Sequence, residues 1–333
     1  MTTPTAFILH PAASLHDTGW GHPEHQGRLR ALASSVGRDM FALHGRAEQV
    51  MAEPADRSEL VRVHSDAHVA ALDRAVARAA AEGRPVEFGP ETPVSAASLE
   101  AILGSLGAGI AAVDGVLSGR FRNAFVATRP PGHHCTAEVA MGFCPVNTIA
   151  VLARRVLDEG QAERVLIVDW DVHHGNGTQE IFWRDPDLFY LSLHEWPLFP
   201  GTGAADETGA GPGAGTTLNR PLRAGTDGAT FAAELRAALR DALDRFTPDL
   251  VLVSCGFDGL ATDPLGGFEL EPSDYHAATR ILMEAVERVC GGRIVALLEG
   301  GYDPRTTGFA TVAVLRALAG VDVADPTLPA PTA

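Results

Sequence analysis

The stretch DWDVHHGNG, Asp169–Gly177, sets two carboxylates and two imidazoles directly behind the apolar run Val165–Val168. Asp171 and His173 are spaced i, i+2, so an extended backbone would send both side chains to one side. A carboxylate and an imidazole supply two ligands for Zn²⁺; a catalytic site needs a third and leaves one position open. Asp258, behind another apolar run, is the candidate third ligand. Alone, a D-x-H pair is more often a buried ion pair or a turn cap. Here other loops shift the balance.

His133 and His134 follow the rigid segment Arg129-Pro130-Pro131-Gly132. Two imidazoles beside a metal-bound water can divide the work, one taking a proton and the other tuning charge. Each needs its second ring nitrogen held, and Asp169 and Asn176 flank the metal candidates in a way that suits them. Tyr302 follows Gly300 and Gly301, which permit a tight turn and could swing its phenol toward a substrate carbonyl. Phe143 and Phe199, beside Gly142 and Gly201, are either ordinary core aromatics or the walls of a slot for an apolar chain.

Such groups need a frame that brings them together. Strands are expected at 123–128, 164–169, 188–193, 249–254 and 293–298, and helices at 98–117, 146–159, 228–246 and 272–289. Interleaved strands and helices imply an α/β fold: one domain with a central, mainly parallel sheet covered by helices on both faces. Ligands collect at the carboxyl ends of such strands. RPPGHH, DWDVHHGNG, SLHEW, CGFDGLATDP and EGGYD each follow one of them, so all five must meet at one sheet edge. The glycine-rich segment 201–215 reads as a flexible loop; it lacks the G-K-[ST] ending of a phosphate-binding loop.

Composition narrows the classes. The chain has 333 residues, 46% apolar and 20% charged, which is ample for a large core. No apolar run is expected to approach the ~20 residues that cross a bilayer, so no membrane partner is foreseen. The N-terminus lacks the pattern of a secretory signal. Four cysteines without C-x-x-C spacing suggest free thiols in a reducing cytoplasm. A formal charge of −16 argues against direct nucleic-acid binding and is compatible with a cationic substrate.

In ordered combination, HPEHQGRL (22–29), RPPGHH, MGFCPVN (141–147), VDWDVHHGNGT, SLH, GFDGLATDPLGG and LEGGY resemble the zinc-dependent histone deacetylase family, in particular its class II-like bacterial amidohydrolases. The resemblance spans roughly Leu9 to Leu318. It implies an arginase/deacetylase-type fold with a catalytic domain over 1–325, while the composition of PTLPAPTA leads to the expectation of a disordered tail over 326–333. It also implies zinc at Asp171, His173 and Asp258, with His134 as general base and acid. His133 would be its electrostatic partner, Tyr302 the carbonyl polariser and Asp169 the acid paired with His133. Asn176 stands where one branch has Asp and the class II-like branch has Asn. Gly142 matches a backbone acceptor for the substrate amide, Phe143 and Phe199 the tunnel walls, and Arg28 a residue at the foot of an internal cavity. A potassium ion is implied beside Asp171 and Ser192. Where the family carries a rim Asp that anchors peptide substrates, this chain has Glu91.

The implied reaction is hydrolysis of an acetylated amine, either acetyl-lysine or a small acetylated amine such as an acetylpolyamine. Leu265 sits where a polyamine-selective branch has Glu, which favours acyl-lysine or broad specificity. Related bacterial enzymes self-associate, so a homo-oligomer is a further expectation. A dinuclear ureohydrolase would need D-x-D, but Gly259 and Leu260 follow Asp258. A non-catalytic acyl-ligand-binding protein is the remaining alternative, although every proposed catalytic group is present.

Overall fold

The computed structural model describes residues 3–323; the tail 326–333 lies outside them. Among the described residues ten strands are formed: β1 Thr5–Ile8, β2 Ala47–Val50, β3 Val86–Gly89, β4 Thr92–Val94, β5 Asn123–Val126, β6 Val165–Asp169, β7 Leu188–Glu195, β8 Thr217–Leu222, β9 Leu250–Cys255 and β10 Ile294–Leu298. Eight helices accompany them: α1 Gly27–Asp39, α2 Asp66–Glu82, α3 Ser98–Leu117, α4 Thr148–Asp158, α5 Asn176–Phe182, α6 Gly228–Leu243, α7 Pro272–Cys290 and α8 Pro304–Leu318. Eight strands make one sheet in the order β2-β1-β5-β10-β9-β6-β7-β8, parallel throughout, while β3 and β4 form a separate antiparallel ribbon.

Alternate residues along each strand enter two different cores. Phe125, Leu166, Val168, Val251, Val253 and Ala296 pack with α1, α6, α7 and α8. Their neighbours Ala124, Val126, Ile167, Leu252, Val295 and Leu297 pack with α2, α3, α4 and α5. With both faces covered, a parallel strand reads as an unbroken apolar run rather than an alternating one. The five expected strands and four expected helices all form, with ends shifted by a few residues.

Two expectations are corrected. Helix α3, 20 residues long, is long and apolar enough by length and composition to cross a membrane. Here it is a core helix, 67% buried against the sheet and its neighbours. Gly104, Gly107 and Gly109 interrupt the apolar run, which hid its length from a reading of large side chains. The segment 201–215 is also no loose connection. Glu207 accepts the N–H groups of Gly203 (3.0 Å) and Ala204 (3.1 Å), and the Gln179 side chain donates to it at 2.6 Å.

Candidate active site

β5, β10, β9 and β6 are consecutive neighbours at the centre of the sheet, although far apart in sequence. Their carboxyl ends deliver His133–His134, Glu299–Tyr302, Asp258 and Asp169–His173 to one place. The strand ends at Asp169, and the chain bends from Asp171 to His173 instead of continuing extended. The i, i+2 pair still converges, because Asp171 Oδ1 lies 3.0 Å from the His173 N–H and 3.2 Å from its Nδ1. Asp258 Oδ2 lies 3.0 Å from the same Nδ1. One ligand atom from each residue falls within 4.8 Å of the other two, a group able to hold a metal ion.

Both carboxylates are buried and anchored by main-chain donors. Val172 N–H donates to Asp258 Oδ1 at 2.8 Å, and Gly300 N–H to Asp171 Oδ2 at 2.8 Å. A Cβ on Gly300 would collide with both carboxylates, so this glycine serves their close approach. The tight turn belongs to Gly301, at φ 114°. Burial and the Asp171 charge raise the Asp258 pKa, whereas His133 and His173 overcome burial to lower that of Asp171. Two adjacent desolvated carboxylates whose ion-pair contacts, among the described residues, are to imidazoles are a donor set suited to a divalent cation.

The histidine pair is driven apart electrostatically. His133 Nδ1 lies 3.1 Å from Asp169 Oδ2, which also accepts the Tyr190 hydroxyl at 3.0 Å. Burial opposes a charge on His133, but Asp171 and Asp169 prevail and push its pKa up to about 10. His134 Nδ1 lies 2.9 Å from Asn176 Oδ1. The Asn176 amide nitrogen faces the His134 carbonyl at 3.4 Å, so its oxygen must face the ring. That places the His134 proton on Nδ1 and leaves the Nε2 lone pair free. Burial first, then the charges of His133 and His173, hold the His134 pKa well below the usual histidine range. The protein's own charges thereby favour a cationic His133 and a neutral His134, the division an acid–base pair uses.

His134 and His173 open into a cavity of about 1110 Å³ that is also lined by Gly142, Phe143, Phe199 and Tyr302. The profile of the Histone deacetylase domain matches residues 22–318. The chain belongs to the histone deacetylase family. It is 39% identical over 316 residues to a Histone deacetylase-like amidohydrolase of Pseudomonas aeruginosa, covering 95% of this chain and 80% of that protein. It is 36% identical over 309 residues to Histone deacetylase 10, chloroplastic, of rice, covering 90% and 70%. The crystal structure of the HDA15 HD domain matches with a TM-score of 0.87 at 35% identity, covering 95% of this chain and 91% of that one. This histone deacetylase family member is accordingly a hydrolase of the deacetylase and amidohydrolase kind, acting on acetylated amines.

Of the remaining residues expected at the site, Gly142, Phe143, Phe199, Glu91 and Leu265 line the same cavity, whereas Arg28 and Ser192 are buried outside its lining. Phe143 stands edge-on to Tyr302, with ring centroids 5.6 Å apart, and Phe199 edge-on to His134 at 5.0 Å. Phe143 (φ 70°) and Glu91 (φ 54°) are the non-glycine residues held in left-handed backbone, and the Phe143 N–H donates to the Glu91 carbonyl at 3.2 Å. Strain of this kind persists where surrounding structure imposes it, commonly at ligand sites. Glu91 and Leu265 lie at the mouth. Arg28 is fully buried, its guanidinium 4.8 Å over the Tyr302 ring. Ser192 is also buried, 2.9 Å from His194 Nδ1.

Sequence reasoning passed over several contributors. Glu24 is buried between Arg28 (3.0 Å) and Arg129 (2.6 Å). Asp263 accepts the Tyr302 N–H at 2.6 Å, and His22 packs edge-on against Phe143 at 4.6 Å. Glu299 is buried too, and burial raises its pKa to about 7 against the pull of His133. Glu24 and Glu299 sat inside HPEHQGRL and LEGGY; for Glu299, a carboxylate directly after an apolar strand was the available signal. A second cluster, His64, His68 and Cys135, is satisfied by the chain itself: His64 accepts the Asn147 N–H at 2.9 Å, and His68 meets the Pro145 carbonyl at 2.9 Å.

Proposed function

We propose that this chain is a zinc-dependent deacetylase of acetyl-lysine-type substrates, with one metal ion held by Asp171, His173 and Asp258. The observation that carries the reading is the buried group of Asp171, Asp258 and His173, whose imidazole shares one cavity with His134 and Tyr302. When bound, zinc would supply a Lewis acid for the acyl carbonyl and lower the pKa of a coordinated water. His134 Nε2 takes a proton from the attacking water and later returns it to the departing amine. His133, held through its Nδ1 by Asp169 at 3.1 Å, stands beside His134 as its electrostatic partner. The Tyr302 hydroxyl donates to the oxygen of the former carbonyl as charge gathers on it. Acetate and a free amine result. Phe143 and Phe199 flank the methylene stem, Gly142 offers its carbonyl to the substrate amide, and Glu91 receives N–H groups at the rim.

A second reading, hydrolysis of acetylpolyamines, is favoured by Glu87 and Glu91, two carboxylates lining the cavity mouth. A side-by-side kcat/KM panel of acetyl-lysine peptides, N-acetylputrescine and N-acetylspermidine tests both. Acetyl-lysine is expected to lead, and a polyamine preference above about tenfold would replace the first reading with the second. Potassium beside Asp171 and Ser192 belongs to the same proposal, and exchange into tetramethylammonium buffers should change activity. Cytoplasmic residence is supported by four cysteines that are all buried and unpaired. Self-association rests on the family resemblance, and sedimentation would measure it.

A further inference from the structure

One buried ionisable side chain beside the site has no role in these steps. Glu299, directly after β10, is 2% exposed. Its Oε2 accepts the N–H groups of Gly132 (2.6 Å) and His133 (3.2 Å), and its Oε1 accepts the Ser254 hydroxyl at 3.2 Å. Its main-chain carbonyl accepts from Arg28 at 2.6 Å, and its N–H donates to Cys255 at 3.2 Å. The same guanidinium donates to Gly301 at 2.6 Å and lies over the Tyr302 ring. Glu299 is thus bonded at once to the loop carrying His133 and His134, to the end of β9 and to the segment that ends in Tyr302.

We infer that Glu299 is a positioning residue for hydrolysis: its carboxylate clamps the histidine-bearing loop of β5 to the tyrosine-bearing loop of β10. The inference rests on the proposed roles of His134 and Tyr302. Those two side chains come from different strands, and no hydrogen bond joins them directly. The aim of His134 Nε2 relative to the Tyr302 hydroxyl therefore depends on what joins their backbones. Glu299 does so through its side chain on one loop and its main chain on the other. A misplacement of about 1 Å between reacting groups can cost about 10²-fold in rate.

The role is one of hydrogen-bond geometry, because three donors and no acceptor converge on the carboxylate. Glutamine can reproduce all three bonds. Its oxygen accepts the two N–H groups, and its NH₂ donates to the Ser254 hydroxyl, which accepts as readily as it donates. Methionine has comparable reach and no acceptor of that strength.

The test is steady-state kinetics of Glu299→Gln, Glu299→Met and Tyr302→Phe on the best acetylated substrate, with metal content and thermal midpoint measured alongside. Glu299→Met should lower kcat on the order of 10²-fold, with KM within about threefold and metal content unchanged. Glu299→Gln should recover most of that loss. Equal losses in the two variants would assign Glu299 an electrostatic role and overturn the inference. So would wild-type kcat in folded Glu299→Met. If that variant does not fold, Glu299→Asp withdraws the same charge from the same donors by one methylene; a lowered kcat at constant KM supports the clamp, and an unchanged kcat overturns it. Should Tyr302→Phe retain activity, the catalytic reading itself fails. Loss in Tyr302→Phe with none in the Glu299 variants removes the clamp alone.

Discussion

Replacing Tyr302 with Phe removes one oxygen and leaves the ring where it is. The side chain is 9% exposed, its N–H is held by Asp263 at 2.6 Å, and its ring lies under Arg28 at 4.8 Å and against Phe143 at 5.6 Å. None of these contacts uses the hydroxyl, so Tyr302→Phe keeps every one of them. What it loses is a donor aimed into the cavity, in surroundings dry enough to raise the phenol pKa well above its usual value through burial. Removing a single donor to a developing oxyanion costs about 10²–10³ in kcat, or roughly 3–4 kcal/mol. Because that bond strengthens as charge builds, kcat should fall far more than KM rises. Metal content should stay unchanged. Steady-state kinetics on the best acetylated substrate gives the answer, and a loss of less than about threefold, far below the oxyanion-donor range, would refute the reasoning.

Dialysis against a chelator should abolish activity and stoichiometric Zn²⁺ restore it; full turnover in metal-free protein would exclude the assignment of Asp171, His173 and Asp258. Phe143→Ala removes a cavity wall and should raise KM several-fold more than it lowers kcat, and unchanged kinetics would return Phe143 to a purely structural role. Glu24→Gln leaves Arg28 and Arg129 buried without their shared carboxylate, which should cost about 3–5 kcal/mol at neutral pH, measured by urea unfolding. Burial would raise the Glu24 pKa, but Arg129 and Arg28 overcome it and hold the folded value below the usual range. The stabilisation is therefore present above the ordinary glutamate pKa and is lost as pH falls through the folded value. The gap between wild type and Glu24→Gln should close in acid, and a gap that widened there would contradict this sign.

The residues with the strongest chemistry were legible because their types and spacing are local. A D-x-H step behind an apolar run, a paired histidine behind a proline-rich turn and a tyrosine behind two glycines are each complete within a few positions. The central strands were legible for a related reason: burial on both faces writes β5, β6, β9 and β10 as continuous apolar runs. Shorter or less regular elements were not. β2 exposes Glu48 and Gln49 between its two buried ends, and β8 carries Pro221, tolerable because it is an edge strand, whereas β1 is as short and as buried as β5 and could have been read. Helix α2 did announce itself, with Ser65 as N-cap and Gly83 at φ 63° as C-cap, and could have been read. Only the tertiary structure decided that β5, β10, β9 and β6 are neighbours, since strand order follows from long-range packing and not from chain order. The same holds for Glu24, Glu299 and Gly300. A buried carboxylate or a glycine declares its role only through the donors and neighbours brought to it, and among these Arg129 for Glu24, Gly132 for Glu299 and Asp171 for Gly300 lie more than 100 residues away in sequence.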